Sequence, residues 1–130
     1  MSLVTDLITQ ITSNSSTFTT VEHAWTMEPF EQPDINAPAI FIFTGKEQSK
    51  PSITDMCTVQ ECTKEVDIMY VCAVADVEAI QTEINSLVQG WQYNSNYLPL
   101  EHSRSEPQEI KGNYMWMLEI FTTTYQRRST

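Results

Sequence analysis

The chain has 130 residues, 41% of them hydrophobic and 10% aromatic, and 17 acidic side chains against 7 basic ones give a formal charge of −10. Such a chain holds one core, spans residues 1–130 as a single domain, and is too apolar for a disordered protein. No Lys or Arg precedes Lys46 and the seven basic residues form no basic patch that could replace counterions on phosphates, so neither direct recognition of nucleic acid nor docking on an anionic membrane is expected.

Leu3, Val4, Leu7, Ile8 and Ile11 recur at helical spacing, which predicts a short amphipathic helix with Ser2 as its cap and Ser13 to Ser16 as its end. Phe18 to Trp25, rich in Thr, Val and aromatic residues, reads as a strand. Pro29, Pro33 and Pro38 then punctuate an acidic stretch from Met27 to Ala37, predicted to be an irregular loop because proline lacks the donor a central strand needs. Ala39 to Thr44 is apolar on both faces, as expected of a strand inside a sheet. Gly45 to Thr54 is polar and turn-rich and reads as an exposed hairpin loop.

Met56 to Val74 predicts one long bent strand or two in succession. Cys57, Val59 and Glu61 share one parity and Val66, Ile68, Tyr70, Cys72 and Val74 the other, so a bulge or turn is expected near Thr63 and Lys64. Asp76 is expected to cap a second helix and Gly90 to stop it, with Val77, Ile80, Ile84, Leu87 and Val88 as its apolar stripe and Trp91 extending it. After a loop from Gln92 to Asn96, Tyr97 to Glu101 starts another strand, and Pro107 is expected to interrupt pairing there. Tyr114, Trp116, Leu118 and Ile120 alternate with Met115, Met117, Glu119 and Phe121 in a long terminal strand that continues to Tyr125. The order predicts an α+β fold: a mainly antiparallel mixed sheet with two helices packed on one face.

Chemistry-bearing motifs are sparse. The three glycines are far apart, so no phosphate-cradling loop can be written, and no GxSxG elbow or calcium loop occurs. Glu101, His102, Ser103 and Arg104 include acid, base and nucleophile types, but neighbours on an extended segment point to opposite sides, and a solvated polar loop is the expectation. Cys57, Cys62 and Cys72 form no CxxC pair, and His23 and His102 stand apart from them, so neither a zinc site nor a disulfide framework is expected. The opening residues lack the basic region and apolar run of a secretory signal, and no stretch approaches the ~20 apolar residues of a spanning helix. The expectation is three buried thiols in a reducing cytoplasm. Trp25, Phe30, Trp91, Tyr93, Tyr97 and Trp116 exceed what one core needs; Trp91 and Trp116 read as core, and Phe30, between two prolines, reads either as core or as an exposed anchor for another subunit.

Taken together, Pro38 to Phe43 after a proline-rich approach, the strand from Val66 to Val74, the helix from Asp76 to Trp91 and the closing strand from Gly112 to Tyr125 resemble the tail terminators of long-tailed bacteriophages, the lambda-type group and related minor tail proteins. The resemblance spans nearly the whole chain and carries no residue-level signature. It implies a ring, usually of six copies, that caps the tail tube at its head-proximal end, stops tube growth and presents the surface that the head joins. The implied partners are further copies of the chain, the tail tube protein and a head completion or connector protein, with DNA only passing through the lumen; no enzyme activity, cofactor, metal or membrane is implied, and assembly takes place in the host cytoplasm. The residues expected at subunit contacts are Glu28, Phe30, Glu31 and Asp34 on the acidic loop, and Lys46 and Lys50 on the next. Another phage connector, completion or tube-related role, or a small cytoplasmic ligand-binding module, fits the same composition; the module requires a concave apolar pocket with convergent polar groups.

Overall fold

The computed structural model describes residues 2–18, 20–23, 38–49 and 58–129; the side chains of residues 58, 59 and 127–129 are not described. Helix α1 (Leu3–Asn14) is capped by Ser2, whose hydroxyl accepts from the Thr5 N–H at 3.1 Å. It buries Leu3, Val4, Leu7 and Ile11, the stripe that the spacing predicts. Strand β1 (Thr20–His23) follows, then β2 (Ala39–Ser49) and β3 (Thr58–Ala73). A single 3₁₀ turn (Val74–Asp76) leads into α2 (Val77–Val88), and β4 (Glu101–Lys111) and β5 (Tyr114–Ser129) close the chain. Asp76 occupies the position before α2 without a side-chain capping bond. Gly90, at φ +83°, takes the left-handed conformation that lets the chain leave the helix.

The strands form one five-stranded sheet in the order β1-β2-β3-β5-β4. Only β1 and β2 run parallel; the other three pairings are antiparallel. The fold class is therefore α+β, with both helices on one sheet face. There Leu7, Ile11, Ile84 and Val88 meet Ile40, Ile42, Val66, Ile68, Tyr70 and Phe121 in one buried cluster. The opposite face carries a second cluster, Ala39, Met69, Val71, Trp116, Leu118 and Ile120, which contains no helical residue. Strands apolar on both sides give a sheet with two buried faces, and β5 is such a strand, with Phe121 in the first cluster and Trp116, Leu118 and Ile120 in the second.

Four expectations change. Gly45 to Ser49 is not loop: β2 runs on through it, with one extra residue between Thr44 and Glu47 relative to β3. The bulge expected near Thr63 lies instead in that partner strand, because β3 pairs with β5 without interruption from Thr58↔Ser129 to Ala73↔Tyr114. The alternation needs no phase change, since Cys62 is buried and in step with Val66. Pro107 does not end the pairing, since it stands opposite Met117 in β4, but the register slips by one residue directly after it, between Pro107 and Glu109. The segment from Glu101 to Arg104 is likewise strand, not loop.

Candidate functional site

Of the residues expected at subunit contacts, Lys46 lies within the described residues. It is exposed, on β2 rather than on a loop. Glu28, Phe30, Glu31, Asp34 and Lys50 lie outside the described residues, as do Trp25 and Cys57. Lys46 does not stand alone. It lines an open cavity of about 590 Å³ on the sheet face away from the helices, together with Glu65, Asp67, Arg104 and Glu106 above an apolar floor that includes Leu118 and Ile120.

Strand register explains this grouping. Asp67 stands opposite Phe43 on one side and Ile120 on the other, and Arg104 is next in line beyond Ile120. Arg104 donates through Nε to Glu106 at 2.8 Å and lies 3.5 Å from Glu65 through Nη1. Asp67 is 9% exposed, and its Oδ1 is buried without a hydrogen-bond partner. Burial first, then Glu65, raises its carboxyl from 3.8 to about 6, against the pull of Arg104. Gly45 makes the room: a Cβ there would stand 2.8 Å from both Asp67 oxygens.

A second polar group lies on the helix face. Glu119 is fully buried, yet its carboxylate is surrounded by donors. Tyr70 Oη donates to Oε2 at 3.0 Å and Gln81 Nε2 to the same oxygen at 3.1 Å. Ser105 Oγ donates to Oε1 at 2.5 Å, and His102 Nε2 lies 2.8 Å from it. Four partners match the lone-pair capacity of an ionised carboxylate, which makes its burial tolerable. Burial and the Glu119 charge hold the Tyr70 hydroxyl well above its ordinary range, so it remains a donor. The group joins α2 to β3, β4 and β5.

Sequence reasoning finds His102 but not its partners. Neighbours in a regular strand do point apart, but the register slips by one residue between His102 and Arg104. That bulge turns Ser105 onto the same face as His102 and sends Arg104 to the other. The available signal was a pair of polar residues on otherwise apolar rows, Gln81 on the α2 stripe and Glu119 on β5. The geometry differs from a nucleophilic relay, in which base and acid engage opposite imidazole nitrogens. Here Ser105, at 3.2 Å, and Glu119 converge on the one nitrogen Nε2.

Cys62 and Cys72 are free and buried, and burial pushes the Cys72 thiol up to about 11. Among the described residues no group of His, Cys, Asp or Glu is arranged to hold a metal ion, and no helix is long and apolar enough to cross a membrane. Trp91, Tyr93 and Tyr97 pack against the main core, and Tyr97 stacks on Tyr125 with centroids 4.8 Å apart. Trp116 is buried, as expected of core.

No family model matches the chain, and no curated protein matches it significantly. Among solved structures, a chain from the virion of a native gene transfer agent particle has a similar fold, with a TM-score of 0.59 at 12% identity. The match covers 93% of this chain and 92% of that one.

Proposed function

We propose that the chain is a structural subunit of a phage-like virion and that it works by assembly rather than by catalysis. The observation that carries this reading is the fold shared with a chain of a gene transfer agent virion over more than nine-tenths of both chains. Agreement from end to end, rather than through one common βαβ or hairpin fragment, is what a shared architectural role requires. The finer assignment follows the resemblance of the element order to tail terminators. Copies of the chain form a ring, of six in that family, on the head-proximal end of the tail tube, where it stops tube growth and offers the surface to which the head completion protein joins. DNA crosses the lumen without being gripped, consistent with a net charge of −10.

The test is size and capping together. Light scattering and electron microscopy of the purified chain, alone and with tail tube subunits, should show closed rings and tubes that stop growing once capped. A chain that stays monomeric at high concentration and leaves tube polymerisation unaffected overturns the reading.

A further inference from the structure

We propose that the cavity around Asp67 is a socket for a cationic side chain of a second copy of this chain, so that a buried carboxylate sets the register of each subunit joint. The proposal rests on the assembly reading above and names the surface that would carry it.

Asp67 is the acid that the fold leaves unsatisfied. Its Oδ1 is buried without a hydrogen-bond partner, while the residue lines a cavity of about 590 Å³. Arg104, the cation whose charge acts on Asp67, is already engaged by Glu106 at 2.8 Å and Glu65 at 3.5 Å. Lys46 and Arg104 stand against Glu65, Glu106 and Asp67 in the lining, which leaves one negative charge in excess when Asp67 is ionised, and Phe43, Leu118 and Ile120 give the cavity apolar surface. Such a cavity suits an arginine or lysine: its aliphatic stem lies on apolar surface while its charged head reaches the carboxylate. Lys46, at the side formed by β2, limits how many positive charges the cavity accepts. Gly45 leaves the space the carboxylate occupies against the backbone, since a Cβ would stand 2.8 Å from it. An acid buried without a partner penalises the lone subunit. Exceptions of this kind gather at functional sites.

The occupant is a second copy because the chain brings its own basic segment to a projecting place. Arg127 and Arg128 are the only two adjacent basic residues in the sequence. They fall on the end of β5, where Gln126 to Ser129 pair with Thr58 to Glu61. The last described pairings of the flanking strands are Ser49↔Cys62 for β2 and Glu101↔Thr122 for β4. Among the described strands, β3 and β5 thus continue beyond the sheet as a two-stranded ribbon. In a head-to-tail ring each subunit offers two different surfaces, and here they would be an acidic socket and a basic ribbon. The groups facing Asp67 are Glu65 on its own strand, Lys46 on β2, and Arg104 and Glu106 on β4. With its carboxyl at about 6, the socket is charged and ready above that pH and released below it.

Sedimentation of the full chain at neutral pH tests this with four proteins: wild type, Asp67→Asn, the pair Arg127→Gln with Arg128→Gln, and all three changes together. Loss of either side should weaken association at least about tenfold, and the triple variant should be no weaker than the weaker parent, because both sides serve one contact. The Asp67→Asn subunit should melt no earlier than wild type, which separates lost assembly from lost folding. Unchanged assembly of Asp67→Asn overturns the socket while leaving the assembly reading intact. Additive losses in the triple variant overturn the pairing of socket and ribbon. Wild-type protein that never assembles overturns the assembly reading itself.

Discussion

Burial and the neighbouring Glu65 raise the Asp67 carboxyl from 3.8 to about 6, so the folded subunit favours its protonated form. The sign follows from linkage: the folded state binds the proton more tightly, so the stabilisation is complete below about pH 4 and is lost as pH rises through about 6. The full difference corresponds to about 3 kcal/mol. Asp67→Asn should therefore melt at a higher temperature than wild type at pH 7 and lose that part of the pH dependence; equal melting curves from pH 4 to pH 7 would contradict the burial. Glu119 is the opposite case, a buried acid with every lone pair engaged. Glu119→Ala leaves the buried hydroxyl of Tyr70 without its acceptor, while Gln81 keeps Ser105, and should cost roughly 1–3 kcal/mol. Glu119→Gln, which keeps the volume but turns an amide donor toward other donors, should lose less yet still measurably, in denaturant titration. Both carboxylates are plain in the sequence, but their opposite fates are not. Each depends on which cross-strand neighbours the register supplies, and a one-residue slip changes every neighbour.

The helices were legible because their signals are local. Ser2 caps α1, and Ile80, Ile84 and Val88 are the buried positions of α2, as their spacing requires. Ile84→Ala removes a fully buried side chain from the seam between α2 and the sheet and should cost ~2–5 kcal/mol; an unchanged melting curve would place the stripe elsewhere. The bulges were not legible, since an extra residue in one strand shows only against its partner. The slip between Thr44 and Glu47 turned an expected loop into strand, and the slip after His102 brought together a polar group that strict alternation forbids. Gly45 marks the first of these. Gly45→Ala should destabilise the domain because its Cβ meets the Asp67 carboxylate at 2.8 Å, and much of that loss should vanish in an Asp67→Ala background. Additive effects of the two changes would mean that the glycine serves the backbone alone. Pro107 and the two register slips make β4 irregular, which discourages uncontrolled pairing at this edge of the sheet.

At the scale of the whole molecule, the α+β arrangement with both helices on one face was readable from element order, whereas the second buried sheet face was not. Alternating strands suggest one wet face, and only residues that alternate between two apolar rows, as Leu118 and Phe121 do, reveal two. The β3–β5 ribbon is also invisible in sequence, because strand length says nothing about where the flanking strands stop. Its position leads to a separable prediction. Gln126 to Ser129 pair only with Thr58 to Glu61 among the described strands, while the buried positions of β5 among the described side chains lie at or before Thr123. Ending the chain after Tyr125 keeps the stacked contact with Tyr97 and every buried residue of both clusters. The shortened subunit should therefore keep a cooperative melting transition, because both described clusters remain intact. It should nevertheless fail to form large species by light scattering, and it should not cap tail tubes. Phe30→Ala should act in the same direction if the acidic loop supplies the apolar anchor, lowering assembly while leaving melting unchanged. A truncated subunit that unfolds would make the ribbon part of the core, and one that assembles like the full chain would remove it from the joint.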